Sequence, residues 1–375
     1  MKIVWMTDSP TIYTGFGTVT REVLVRLKQL GHQVASVGWS YNGWPYDHAL
    51  APYPIYPSNS ALHGRDTFPA VIERLRPDVV VAFADLWMID WLKDFKSSHP
   101  FKLVLYFPID GAPVPRIFAP LLRKADAAVA YSRFGQRETL AIVPEVDVRM
   151  IYHGVDVDAF RPLGPKSEQK DAAGLGGKFV VGCVARNQPR KQYPLLVKAF
   201  ARFSRDHDDA LLYIHSDPDD FGWDLKELAL VHGLEGRVLF SKNAHYERGM
   251  TTAGLNQIYN LMDVMALPTT GEGFGLPIVE AMAAGVPVVA TRCSSCIELI
   301  EGRGELVDVK VFIPVSRNFV EHALPDVDDF ERKLRLLYDD PELRQHHTRA
   351  GLAFAQELRW DNIMPQWQEL LAGLA

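Results

Sequence analysis

Two carboxylates flank a glycine-rich turn in the stretch Thr270-Gly271-Glu272-Gly273-Phe274-Gly275-Leu276-Pro277-Ile278-Val279-Glu280-Ala281. Glycines at 271, 273 and 275 free the backbone and let it come close to a ligand. Pro277 fits the first position of a helix, where no amide is lost. The run from 278 to 284 suits that helix, and Gly285 with Pro287 ends it. Apolar runs at 262–267 and 286–290 read as flanking strands. Such a turn aims unbonded amides and a positive helix end at one spot, which makes an anion site. Helical side chains lean back toward the N-terminus, so Glu280, read in the first turn, falls near that spot. Carboxylates beside a phosphate would repel it, but they suit neutral hydroxyls next to it. Amides for a phosphate and acids for hydroxyls describe a sugar nucleotide. The plain alternative is an ordinary glycine turn with Glu280 as a charge at a helix start.

A second group of charges lies upstream. The strand at 179–185 runs into Arg186-Asn187-Gln188-Pro189-Arg190-Lys191, and a helix follows at 193–204. Cations at a strand end, ahead of a helix, suit a diphosphate; a solvated basic turn is the alternative. The chain opens in the same manner. A strand at 3–7 leads into a turn-rich loop from Asp8 to Gly17, closed by Gly15-Phe16-Gly17. The helix at 19–30 has one apolar face (Val19, Val23, Leu24, Leu27 and Leu30), and a strand at 33–37 follows. Ligands of doubly wound folds sit at such a loop. Asp110 follows the strand at 102–107, again at a carboxyl end. His153 could serve as a base or be an ordinary loop histidine. Asp217-Pro218-Asp219 has the form of a metal motif but reads better as a solvated turn, so no metal is expected. Cys293 and Cys296 form a lone CxxC with no second pair, and loop cysteines are the simpler reading.

The 375 residues have room for two or three domains, and 47% hydrophobic content is enough for packed cores. A net charge of −6 argues against a nucleic-acid protein driven by bulk charge. Three cysteines make no disulfide framework. No run reaches transmembrane length, and Met1 to Met6 reads directly as a strand with no leader ahead of it. A soluble cytoplasmic protein is expected. The segment 161–177 is rich in Pro, Gly and charge and reads as a linker. The aromatic and Pro-rich stretch 41–56 is a surface loop or an irregular crossover, and 304–318 reads as irregular. Ser132 is a plausible N-cap. Helices close the chain at 328–337, 341–357 and 360–371.

The pair Glu272 and Glu280, set among these glycines and this proline, resembles the signature of retaining glycosyltransferases of family four. Thr14 to Gly17 with Leu30-Gly31-His32, and Met150 to Asp156, are similar to other family segments, so the resemblance spans nearly the whole chain. It implies an α/β fold of the GT-B type: two facing Rossmann-like doubly wound domains with a cleft between them and a C-terminal helix crossing back. The expected division is 1–165 plus 358–375 for the acceptor side and 166–357 for the donor side. The donor would be a nucleotide-diphosphate sugar of the UDP or GDP type, with no resident cofactor. Arg186 and Lys191 would hold its phosphates, with Arg190 as a substitute, helped by the amides of Gly273, Phe274, Gly275 and Leu276. Glu280 would accept from the ribose and Glu272 from the sugar. Backbone in the 242–253 loop would meet the base. Gly15, Phe16, Gly17 and Asp110 would lie near the reacting sugar and the acceptor. Most members have a histidine where this chain has Asp110; in this the chain resembles phage and archaeal members. The acceptor stays open among glycans, lipid-linked sugars, small molecules and proteins. A hydroxylated DNA base is the least favoured, with Arg116, Arg123 and Lys124 as its contacts. A sugar-nucleotide epimerase, a phosphorylase and a non-catalytic sugar-nucleotide scaffold are the competing readings.

Overall fold

A computed structural model describes residues 1–218, 220–241 and 249–375. The chain forms two compact units, Met1–Gly154 with Asn318–Val320 and Trp360–Ala375, and Val155–Arg317 with Glu321–Arg359. Each is built on a parallel sheet.

The first unit has seven strands: β1 (Lys2–Asp8), β2 (Gln33–Trp39), β3 (Ile55–Ser58), β4 (Val79–Phe83), β5 (Lys102–Phe107), β6 (Ala127–Ala130) and β7 (Val148–Met150). Their order is β3-β2-β1-β4-β5-β6-β7, and every pairing is parallel. The helices between them are α1 (Gly15–Gln29), α2 (Phe68–Leu75), α3 (Leu86–Ile89), α4 (Ala119–Lys124) and α5 (Arg133–Leu140). Central strands buried on both faces explain the unbroken apolar runs of Val79–Phe83 and of residues 103–107. Val4, Met6, Val80, Leu105 and Phe107 lie in one core cluster.

The second sheet runs β10-β9-β8-β11-β12-β13, also all parallel. Its strands are β8 (Phe179–Val184), β9 (Ala210–His215), β10 (Val238–Phe240), β11 (Val264–Leu267), β12 (Val288–Thr291) and β13 (Gly304–Val307). An antiparallel hairpin follows, β14 (Val309–Pro314) with β15 (Glu321–Pro325). The helices are α6 (Lys166–Ala172), α7 (Tyr193–Phe203), α8 (Leu225–Val231), α9 (Thr252–Leu261), α10 (Leu276–Ala283), α11 (Ser294–Ile300), α12 (Val327–Asp339) and α13 (Pro341–Glu357).

The last helix, α14 (Trp360–Ala372), belongs to the first unit. Trp367 is fully buried there, with its ring 5.3 Å from that of Trp5 and 4.9 Å from that of Tyr106. A Cβ on Gly154 would lie 2.4 Å from the Trp360 ring, so a glycine is needed where the helix returns.

Three readings are corrected. The 161–177 segment is no free linker. It contains α6, and Lys170 forms an ion pair of 2.9 Å with Asp263. The buried Asn256 and Asn260 accept from the Arg161 and Leu163 amides. The segment is tied down through its backbone amides and Lys170, while Ser167, Glu168 and Asp171 stay exposed. The 304–318 segment is not irregular, because it holds β13 and β14. Val311 and Phe312 on β14 are both exposed, so no two-residue alternation marked the strand. Within 41–56 the strand β3 begins at Ile55.

Candidate donor and acceptor sites

In each sheet the strand order reverses at one point, between β1 and β4 and between β8 and β11. Loops leaving two neighbouring strands in opposite directions open a crevice there, and ligands of such folds bind in it. The second unit places its charged residues at that point. Arg186 to Lys191 follow β8, and the glycine turn follows β11.

Lys191 and Glu272 are both buried, at 6% and 5% exposure. The Lys191 ammonium donates to Glu272 Oε1. Arg190 lies 3.2 Å from Glu272 Oε2 and donates to the Gly271 carbonyl at 2.8 Å. Burial would raise the Glu272 carboxyl, but Lys191 and then Arg190 outweigh it and hold the group below its ordinary value. Burial, then the neighbouring Arg190, lower Lys191. Arg190 was expected only as a substitute, yet it is built into this cluster. The glycine turn is also held from behind. The Glu272 amide donates to Ser294 Oγ at 2.8 Å, and Ser295 Oγ donates to the Glu272 and Phe274 carbonyls at 2.9 and 2.7 Å. The Thr270 amide donates to the Arg190 carbonyl at 2.8 Å, and the Thr270 carbonyl accepts from the Ala323 amide of β15 at 2.9 Å. Gly275 has φ +104, which favours glycine, and ends the turn just before α10.

Glu280 is corrected in position. It is the fifth residue of α10 and lies beyond the first turn, because the helix begins at Leu276, one residue ahead of Pro277. Tyr259 on α9 donates to its carboxylate at 2.9 Å. Burial pushes the Glu280 carboxyl up to about 7. A carboxyl raised in the folded state weakens the fold as pH rises from its unfolded value toward the folded one. Glu280→Gln is therefore expected to stabilise the protein at pH 8 by up to ~3 kcal/mol relative to wild type. The gain should vanish below about pH 4.5; melting the two proteins across this range checks it.

Arg186 is placed differently from Lys191. It pairs with Asp220 at 2.7 and 3.3 Å and lies over the Phe221 ring at 5.1 Å. Of the Asp217-Pro218-Asp219 motif, Asp219 lies outside the described residues, as does most of the expected base-contacting loop at 242–253. Cys293 and Cys296 are buried; Cys296 sits in α11 rather than in a loop, and Cys293 stands at the helix's N-cap position without a side-chain capping bond.

In the first unit, Gly15-Phe16-Gly17 does not close a loop but forms the first turn of α1. Thr14 is the N-cap, accepting from the Gly17 amide at 3.0 Å. The capping oxygen outweighs the low helix propensity of two glycines. Thr14 also donates to Asp8 at 2.8 Å. A Cβ on Gly17 would lie 2.5 Å from the Ile12 carbonyl, so glycine lets the loop fold back on the helix. Arg21 ties that loop down through the Pro10 and Ile12 carbonyls. Phe16 packs its ring 4.8 Å from that of Phe83. Asp110 follows β5, half-buried, just ahead of a cis bond between Ala112 and Pro113. His153 Nδ1 bonds the Tyr106 hydroxyl at 2.7 Å, and its ring lies 4.2 Å from that of Tyr131. Burial lowers it to about 3, so it is neutral at pH 7. Ser132 caps α5, accepting from the Gly135 amide at 3.0 Å.

Sequence reasoning did not find Tyr259, Ser294, Ser295 or the Thr270–His322 contact of 3.1 Å. All act across long sequence separations, and only the serines carried a signal, as small polar residues between two cysteines.

Two family models match the chain. Residues 13–159 match glycosyltransferase family 4, and residues 178–340 match glycosyl transferases group 1. Among curated proteins it is 32% identical to a lipopolysaccharide core biosynthesis mannosyltransferase of Rhizobium meliloti, over 56% of this chain and 58% of that one. It is 36% identical to a D-inositol 3-phosphate glycosyltransferase of Mycobacteroides abscessus, over 38% and 31%. It is 32% identical to a GDP-mannose-dependent phosphatidylinositol monomannoside mannosyltransferase of Mycolicibacterium smegmatis, over 49% of each. The chain thus spans about a third to three-fifths of the curated relatives it matches. Among solved structures, sucrose-phosphate synthase from Thermosynechococcus elongatus has a TM-score of 0.79 at 18% identity, covering 100% of this chain and 99% of that one. An Anabaena protein solved with UDP and glucose has a TM-score of 0.76 at 19% identity, with both chains covered fully. These likenesses show the GT-B fold.

Proposed function

We propose that the chain, whose two halves match the family 4 and group 1 glycosyltransferase models, is a retaining glycosyltransferase that moves a sugar from a nucleoside-diphosphate donor to a hydroxyl acceptor. The observation that carries this reading is the buried Lys191–Glu272 pair, with half-buried Arg190 beside it, at the reversal point of the second sheet. Negative charge develops on the leaving diphosphate, and preorganised cations in a dry site stabilise it most. Lys191 and Arg190 supply those cations, while the amides of 273–276 and the start of α10 add to them. Arg186 is the outer cation, moving from Asp220 to the donor. Glu272 passes from the cations to the sugar hydroxyls when phosphate arrives, and Glu280 accepts from the ribose. Asp110 and the loop capped by Thr14 form the acceptor side in the first unit. Asp110 in place of the family's usual histidine supports kinship with phage and archaeal members. The relative named for GDP-mannose and the fold neighbour solved with UDP support a UDP- or GDP-hexose donor.

A donor panel tests this. One of UDP-glucose, GDP-mannose, ADP-glucose and dTDP-glucose is expected to raise the melting temperature and to release its nucleoside diphosphate slowly. NMR of the product should show the anomeric configuration kept. No stabilisation by any of them, with no release, would overturn the reading.

A further inference from the structure

The β14–β15 hairpin lies outside the six-stranded sheet, and Val311 and Phe312 on β14 are exposed, so that strand adds little to a core. Its other strand, β15, bonds the first residue of the glycine turn. The Ala323 amide donates to the Thr270 carbonyl at 2.9 Å, and Thr270 Oγ1 and His322 Nδ1 share a hydrogen bond of 3.1 Å. The Thr270 amide in turn donates to the Arg190 carbonyl at 2.8 Å. Thr270 is thereby fastened between β15 and the cations after β8, two residues ahead of Glu272. A buried histidine bonded to a threonine is commonly no more than a satisfied polar group. The place of this one argues for more. His322 and Thr270 are both buried, and two such groups are tolerable there only through a bond of this kind. The bond therefore fixes the start of the segment that carries Glu272.

We infer that His322 is a positioning residue for the donor site: through Thr270 it sets the start of the glycine turn, and so the placement of Glu272 against the sugar. The inference rests on the transfer reading above. In it His322 touches no substrate and acts only through Thr270. A misplacement of about 1 Å at a reacting centre can cost about 10²-fold in rate. Lys191, the cation proposed for the phosphate, lies on the segment after β8 and not on the turn. Loss of His322 therefore acts on the orientation of the sugar more than on phosphate binding.

Transfer kinetics and nucleoside diphosphate binding by His322→Leu, His322→Asn and Thr270→Val test this. His322→Leu is expected to lower kcat about tenfold or more, with the Kd for the nucleoside diphosphate within about twofold of wild type. Asparagine puts an amide where Nδ1 stands, so His322→Asn should recover most of the loss. Thr270→Val keeps the shape of threonine and should cost as much as His322→Leu, and the double variant no more than either. Hydrogen exchange followed by mass spectrometry needs no donor. The leucine and valine variants should speed exchange of the 270–273 amides, and His322→Asn should not. That arm decides whether His322 sets the turn even where wild type transfers no sugar, an outcome that would sink only the donor reading. Losses that add in the double variant, no rescue by asparagine, or a lowered melting temperature with kcat and turn exchange kept would overturn the inference.

Discussion

Lys191→Ala is expected to lower transfer by about 10²–10³-fold and to destabilise the protein by about 3–5 kcal/mol. On the proposed reading, the activity loss follows from removing a buried cation aimed at the leaving diphosphate. The stability loss has a separate origin. Glu272 is 5% exposed, and Lys191 is its buried partner. Without Lys191 the carboxylate keeps the Thr269 side-chain hydrogen bond and, as a cation, Arg190, whose side chain is 35% exposed and 3.2 Å away. Removing one member of a buried pair strands the other charge, whereas removing both can be nearly neutral. The double variant Lys191→Met, Glu272→Gln should therefore regain most of the lost stability while staying inactive. Urea unfolding together with a transfer assay separates the two effects. A double variant as unstable as Lys191→Ala would show that the cluster is held by packing rather than by charge pairing.

Glu272→Gln is expected to lower kcat by about 10²-fold or more while nucleoside diphosphate binds as well as to wild type or better. The Glu272 carboxylate pairs with Lys191 and Arg190, the cations proposed to hold the diphosphate. Amidation removes a competing anion, so ground-state phosphate binding gains. The same change removes the acceptor that orients the sugar, so the transition state loses. The expected pattern is thus a lowered kcat beside an unchanged or smaller Kd for the nucleoside diphosphate. Turnover near wild type would remove Glu272 from the chemistry.

Most of the fold was legible in the sequence. Strands buried on both faces show as apolar runs, and glycine and proline mark the turns of the repeated strand–loop–helix units. The glycine turn, its two acids and the cations after β8 were found because each motif is local. What was missed depends on pairing across the chain. Lys191 and Glu272 are 81 positions apart, and nothing in either segment says that one neutralises the other. The two serines behind the turn were hidden in the same way. The polar 161–177 segment was misread because its hydrogen bonds to Asn256 and Asn260 cannot be seen from composition. The first turn of α1 was misread because propensity counts glycine against a helix, while the Thr14 cap and the close approach at Gly17 decide for it.

The central claim is that the Lys191–Glu272–Arg190 cluster is the donor diphosphate site. A crystal structure with the nucleoside diphosphate selected by the donor panel tests it most directly. The account predicts the terminal phosphate within hydrogen-bond distance of Lys191 Nζ and the amides at the start of α10, with Glu272 turned away from Lys191. A phosphate bound elsewhere, with the Lys191–Glu272 pair intact, would contradict it.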